Sequence, residues 1–528
     1  MSANSHPAIA PTYPTGWLKW AIAATASLGA ILEVIDTSIV NVALTDIQSS
    51  VGATLSEIGW IVTGYAIANV IVIPLTAWLG ETFGQKRYFV LSLAGFTIAS
   101  VLCGLSGSLP ELVAARILQG LLGGGLLAKA QSILFQSFPP AEQGLAQAVF
   151  GVGVITGPAI GPTLGGYLTD NLGWRWIFFI NIPFGIAAVA MALLFLPADR
   201  PRDRSGPRRS VDWWGIGLLT IAVGSLQTFL EEGEQDNWFE SPTIIALAIA
   251  AIVGLVLFIW RELTVRHPAV DLRVLRHRSL AAGSIYSAVV GMGLYGTLFA
   301  VPIFAQSVLH YTAQQTGLLL LPGALASAAT MLMLGKVSSL IDPRWAIAAG
   351  SIMTSLVMFS LATLNPDSSS DSLFYPLIFR GVGTVMMFLP LSLATLGSLP
   401  PADIPAGSGF YNLTRQLGGS IGIAILTTLL DRRNAFHRSV LSEHLSVYSP
   451  ETQARLDALT SAFQSRGVDP TTAHQQAIAS LDGLLSLQSS ILSFSDTFWV
   501  VGMAFLASLP LLLLLGKGRK GQAPSAGH

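Results

Sequence analysis

The sequence predicts an all-α polytopic membrane protein with fourteen transmembrane helices and both termini in the cytoplasm. Three observations predict it. Of 528 residues, 52% are hydrophobic and only 11% charged, well under half the charged share of a soluble domain. Lipid must therefore solvate most of the surface. Apolar runs of about 20 residues, the length that crosses a bilayer core, recur along the chain. The Lys and Arg residues between those runs concentrate on alternate sides.

The runs lie near 17–44, 56–79, 88–107, 110–137, 142–169, 174–196, 212–231, 242–260, 279–308, 314–338, 344–363, 373–395, 405–431 and 495–516. Turn chemistry separates several of them, as in "SGSLPE" (106–111), "SFPPAEQ" (137–143) and "NPDSSSDS" (365–372). With the N-terminus inside, eighteen Lys and Arg fall on the cytoplasmic side, including five arginines in "DRPRDRSGPRRS" (199–210) and Lys517, Arg519 and Lys520 in the tail. Six fall outside and four within spans. An odd number of spans would reverse half of the loops. The expected organisation is a cytoplasmic tail (1–16), a six-helix bundle (17–196), linkers with two extra spans (197–278), a second six-helix bundle (279–516) and a second tail (517–528). Within the second bundle, 432–494 is polar. "NAFHRSVLSEHL" and "DALTSAFQSR" have helical periodicity, which predicts an extracytoplasmic helical hairpin, either an interfacial cap or a partner contact.

Several classes are excluded. The net charge of −1 and the lack of basic runs with interleaved aromatics give no sign of nucleic-acid binding. The single Cys103 excludes an internal disulfide framework and a cysteine zinc site. His267, His277, His310, His437 and His444 lie mostly at loops and form no ligand-spaced cluster, so no metal and no cofactor is expected. Nucleotide-binding loop, HExxH and nucleophile-elbow motifs are absent, which argues against an enzyme. No cleavable signal peptide is expected.

Ionisable residues inside spans are functional candidates, because each costs about 2.5–3.5 kcal/mol to insert. "ILEVIDTSIVNVAL" (31–44) places Glu33 and Asp36 three residues apart on one helical face. Paired carboxylates in low dielectric repel each other and lose solvation, which favours proton uptake. The pair is a proton site, or Asp36 is half of a structural ion pair. Asp36 lies about 12 Å from the outer end of its span and Arg116 about 9 Å from the outer end of the fourth, so the two can meet. Lys129 lies thirteen residues beyond Arg116, on a nearly opposite face. Glu33 is too shallow to meet it by about 11 Å of depth. Three readings stay open for Lys129: snorkelling to the cytoplasmic surface, pairing with a structural carboxylate, or facing a cavity. In the fifth span, Gly157, Gly161 and Gly165 form an i, i+4, i+8 ridge that permits close helix approach. Pro158 and Pro162 bend the same helix.

These segments resemble a family, the major facilitator superfamily, in its fourteen-span drug:proton antiporter branch (EmrB/QacA type). The resemblance covers nearly the whole chain. It is carried in order by "IDTSIVNVAL" (35–44), "AWLGETFGQKR" (77–87), "RILQGLLGGG" (116–125), "GPAIGPTLGGYL" (157–168), "WRWIFFINIPFG" (174–185), "RGVGTVMMFLPLS" (380–392) and "GSGFYNLTRQLGGSIGIAI" (407–425).

The resemblance implies the major facilitator fold, two six-helix bundles plus two additional central spans, around a cavity with alternating access. It implies proton-driven export of amphipathic or lipophilic compounds across a bacterial cytoplasmic membrane. A periplasmic adaptor and an outer-membrane channel are candidate partners. It ties proton coupling to Asp36 and Arg116, with the neighbouring Glu33 a proton-coupling candidate from the carboxylate pair, and a conformational latch to Glu81, Gly84, Lys86 and Arg87. Antiport falls to Gly157, Pro158, Gly161, Pro162, Gly165 and Gly166. The cavity candidates are Lys129, Gln119, Arg380, Asn412 and Arg415. Departures from the family pattern are Glu33, where relatives carry a neutral residue; Ala77 and Thr82 in the latch loop; and Ala128 and Lys129 in the fourth span. Export of lipids, fatty acids or siderophore-like metabolites is the alternative on the same scaffold. A transport-inactive receptor or assembly subunit is the alternative of another class.

Overall fold

The computed structural model describes residues 13–199, 211–365, 368, 371–446 and 448–515. The tail segments 1–12 and 516–528 and the arginines of 200–210 lie outside the described residues. Every regular element among the described residues is helical. Fourteen helices are long and apolar enough to cross a bilayer. This follows from the solvent: in hydrocarbon each backbone N–H and C=O must be satisfied within its own segment.

The spans run Trp17–Val42, Glu57–Phe83, Gln85–Leu105, Leu109–Ser137, Gln143–Leu172, Trp176–Phe195, Trp213–Glu232, Pro242–Thr264, Arg278–Ser307, Gln314–Val337, Pro343–Leu361, Ser372–Leu396, Ile404–Glu443 and Pro470–Leu514. We number them 1 to 14. Spans 1–6 pack among themselves, as do spans 9–14, and the two halves meet where span 5 lies on span 10 and where spans 2 and 4 meet span 13. Spans 7 and 8 pair with each other, tied by Arg261 donating to Asp212 at 3.1 Å. Span 7 also touches both halves, with Gln227 Nε2 donating to Ser420 Oγ at 2.8 Å and Thr63 donating to Glu232 at 3.4 Å. The start of span 1 and the close of span 14 sit at one end of the bundle, here the terminal end, where Lys19 pairs with Glu142 and Arg344 donates to the Leu515 carbonyl.

The second helix of each half starts on the same device. Thr54 and Glu57 form a capping box at span 2, and Thr312 and Gln315 form one at span 10. Each satisfies N–H groups that a helix start leaves free.

Two features differ from uninterrupted spans bounded by the membrane. Span 4 is broken: helix Leu109–Gly123 ends at the Gly123–Gly125 run and a second helix, Leu126–Ser137, begins beyond it. A Cβ on Gly124 would stand 2.6 Å from Asn69 Cα, so span 2 approaches here as only glycine permits. The polar stretch 432–494 is helical, but its first and last helices are continuous with the spans that flank it. Span 13 continues as one helix to Glu443, and span 14 begins at Pro470. Only the short helix Pro450–Gln464 is added between them. Arg433 and His437 both bind Asp496, and Arg438 binds Asp482, fastening the two extensions together.

Candidate functional site

Five spans converge on one buried carboxylate. Asp36 of span 1 accepts from Arg116 Nη1 at 2.6 Å, Gln119 Nε2 at 3.0 Å and Asn181 Nδ2 at 2.8 Å. Arg116 also donates through Nε to the Ile61 carbonyl and through Nη1 to Gln119 Oε1. The Tyr65 ring covers its guanidinium 4.1 Å away. Asn181 is held in turn by Ser100 of span 3. Asp36 and Arg116 are both 0% exposed. Removing one member of such a pair leaves an uncompensated charge in a dry site.

Glu33 stands one turn earlier and has other partners. Its Oε1 accepts from Asn69 Nδ2 at 2.8 Å, and its Oε2 accepts from the Leu127 backbone N–H at 2.7 Å. The break in span 4 explains the second bond. Leu127 is the second residue of the new helix, whose first N–H groups have no partner within it.

A cavity of about 590 Å³ lies between the two halves, in the part of the bundle away from the terminal end. Its wall includes Glu33, Thr37, Tyr65, Asn69 and Arg116 from the first half and Tyr295, Gln306 and Gln416 from the second. Asp36 is not on the wall, so Arg116 stands between it and the cavity. Pro158 and Pro162 of span 5 also line it. The glycine ridge of that helix turns instead to span 1: Gly157 meets Val34, Gly161 meets Ser38 and Gly165 meets Ile39. Gly166 is outside the ridge, and a Cβ there would touch only Val42, at 3.9 Å.

Toward the terminal end the halves are sealed. Gln131 Nε2 donates to Ser392 Oγ at 2.9 Å, Ser408 Oγ to the Ala128 carbonyl at 2.7 Å, and Asn412 Nδ2 to Gln131 Oε1 at 2.7 Å. Arg415 donates to Asn412 Oδ1 at 2.7 Å.

Residues 26–423 match the family model described as Major Facilitator Superfamily. The chain belongs to the major facilitator superfamily. It is a multi-pass membrane protein. Among its relatives, the "Multidrug export protein EmrB" of Escherichia coli (strain K12) is 35% identical over 92% of this chain and 93% of its own length. The "Fatty acid resistance protein FarB" of Neisseria gonorrhoeae is 32% identical over 94% and 96%. The solved structure of the human organic anion transporter MFSD10 (TETRAN) superposes with a TM-score of 0.55 at 12% identity, covering 92% of this chain and 99% of that one, a likeness of fold.

In this major facilitator chain, several residues expected at the cavity lie elsewhere. Lys129, Gln119, Arg380, Asn412 and Arg415 are not on its wall. Gln119 is enclosed with Asp36, while Asn412 and Arg415 belong to the seal. Arg380 Nη1 finds no partner among the described residues. Lys129 is 2% exposed, so it does not snorkel. Its Nζ makes no hydrogen bond among the described residues, lies 5.8 Å from the centre of the Tyr88 ring, and is accommodated because Gly80 lacks a side chain. Glu81 and Asp199 act on it only through longer-range electrostatics. Glu33 reaches within two residues of Lys129 along the chain. It bonds Leu127 and not Lys129 itself, in line with the depth estimate.

Around the loop 77–87, Gly84 has φ +96° and makes room for the Asp199 carboxylate. That carboxylate accepts from the backbone N–H groups of Lys86 (2.8 Å) and Arg87 (3.1 Å), capping span 3. The Lys86 ammonium binds the Leu193 and Leu196 carbonyls. Glu81 lies exposed in the last turn of span 2, beside Gly84. Asp199, Asn181, Asn69 and Gln131 are site residues that the sequence reading passes over. A polar residue inside an apolar run was the available signal for the last three.

Proposed function

We propose that this protein is a proton-coupled secondary exporter of amphipathic or lipophilic compounds, working by alternating access in a bacterial cytoplasmic membrane with both termini in the cytoplasm. The observation that carries the reading is the buried Asp36–Arg116 pair, with Arg116 on the wall of a cavity sealed toward the terminal end and Asp36 behind it. A proton on Asp36 removes the charge that holds Arg116. Arg116 borders the cavity, so its release alters the surface that a substrate meets. A proton and a substrate can thus bias the same two-state equilibrium. No chemical transformation of the substrate is involved. The likeness to the multidrug export proteins EmrB supports multidrug export.

The test is transport in inside-out vesicles under an imposed proton gradient, scanning lipophilic cations against anionic lipids while a pH-sensitive dye reports proton movement. Uphill accumulation coupled to proton release supports the reading. Accumulation that survives collapse of the gradient refutes proton coupling. A second reading, fatty-acid export, is favoured by the FarB relative and predicts that laurate accumulates where cations do not. Reporter fusions at both ends test the orientation.

A further inference from the structure

Among the residues that line the cavity, Glu33 is the one acid and Arg116 the one base. Arg116 is committed to Asp36. Among the described residues the Glu33 carboxylate is bonded to no cation: its partners are the neutral Asn69 amide and the Leu127 N–H. The wall therefore offers a carboxylate held only by neutral donors.

The Leu127 bond gives that carboxylate a second role. The helix Leu126–Ser137 follows Gly125, which has no side chain to cap it. Glu33 supplies the missing acceptor from another span, and its negative charge faces the positive end of the helix. The same twelve-residue helix carries Ala128 and Gln131, which meet Ser408, Asn412 and Ser392 of the second half. One rigid element thus runs from the cavity wall to the seal. Arg415, behind the wall, also acts on Glu33 at longer range and is bonded to Asn412 within the seal.

We propose that Glu33 is a cation-sensing cap: the positive head group of an amphiphile in the cavity draws the Glu33 carboxylate from the Leu127 N–H, and this loosens the Leu126–Ser137 helix from the second half. The place of this step in a transport cycle rests on the export reading. The step itself is a binding event at a named carboxylate. It makes lipophilic cations, rather than anions of equal chain length, the compounds that unseal the terminal end.

The experiment places spin labels at Ala141→Cys and Leu340→Cys, in exposed loops of the two halves at the terminal end, on a Cys103→Ser background in lipid nanodiscs. Distance distributions are read by pulsed electron resonance. The probes are dodecyltrimethylammonium and dodecanoate, each below its micelle concentration. Unliganded protein gives the short distance, the cation moves weight to a longer one, and dodecanoate does not. Glu33→Ala moves weight to the longer distance without ligand. Glu33→Gln keeps a neutral acceptor, stays short and ignores the cation. If Glu33→Ala does not fold, Glu33→Gln decides alone. A wild-type response in Glu33→Gln, an unshifted Glu33→Ala, or dodecanoate acting as well as the cation overturns the proposal. Vesicle transport separates the two readings. Distances that follow Glu33 while neither probe is exported sink the export reading and leave the cap standing. Normal export with distances indifferent to Glu33 sinks the cap alone.

Discussion

Glu33 and Asp36 stand three residues apart on one helix and serve different compartments. Glu33 borders the cavity and holds a backbone amide of span 4, whereas Asp36 is sealed behind Arg116. The two acids therefore have different neighbours to answer to, one at the cavity wall and one in the dry interior.

Asp36→Asn and Arg116→Ala each leave one charge unpaired in a dry site. Arg116→Ala is expected to cost about 3–5 kcal/mol of stability and to abolish proton-driven export. The double variant Asp36→Asn with Arg116→Gln is expected to melt above either single variant, because no uncompensated charge remains. Thermal unfolding in detergent checks this. A double variant that melts at the sum of the two losses would show that the residues do not act as a pair.

Gly161→Leu drives a branched side chain into Ser38 of span 1. Export is expected to stop, while Gly166→Ala, which meets only Val42, exports at the wild-type rate. Equal behaviour of the two variants would mean that the ridge has no role in cycling.

Lys129→Met removes a buried ammonium that makes no hydrogen bond among the described residues. The variant is expected to be more stable by about 1–3 kcal/mol, the usual penalty of an unsatisfied buried group. Lys129→Glu is expected to be destabilised. A lower melting point for the methionine variant would reveal a bonded partner. A reciprocal change in preference between a cationic and an anionic substrate would return Lys129 to the transport path.

Asp199→Ala removes the cap of span 3 and is expected to cost about 0.5–2 kcal/mol, with Asp199→Asn milder because one acceptor remains. Melting temperatures of the two variants, compared with wild type, check the order.

The fourteen spans were legible because hydrocarbon imposes a length and a polarity on every crossing segment, and the observed bounds follow the apolar runs except in spans 13 and 14, whose helices run on beyond them. The Asp36–Arg116 contact was legible from depth along two straight helices. The partner of Glu33 was not, because a backbone amide has no residue type to announce it. Nor was the break in span 4, since a glycine run reads equally as close packing. The extensions of spans 13 and 14 escaped notice for the opposite reason. Hydropathy marks where lipid ends, and a helix need not end there. Lys129 shows the limit of a helical wheel, which places a residue on a face but does not say whether neighbours close over it.

Those extensions carry a mechanical consequence. Span 13 is a single helix of 40 residues, about 60 Å long, roughly twice the thickness of the bilayer core. Clamped to span 14 through Arg433, Arg438 and Asp496, it behaves as a stiff lever with its fulcrum in the bilayer. A tilt of the second half by a few degrees becomes a sweep of several ångströms at the tip.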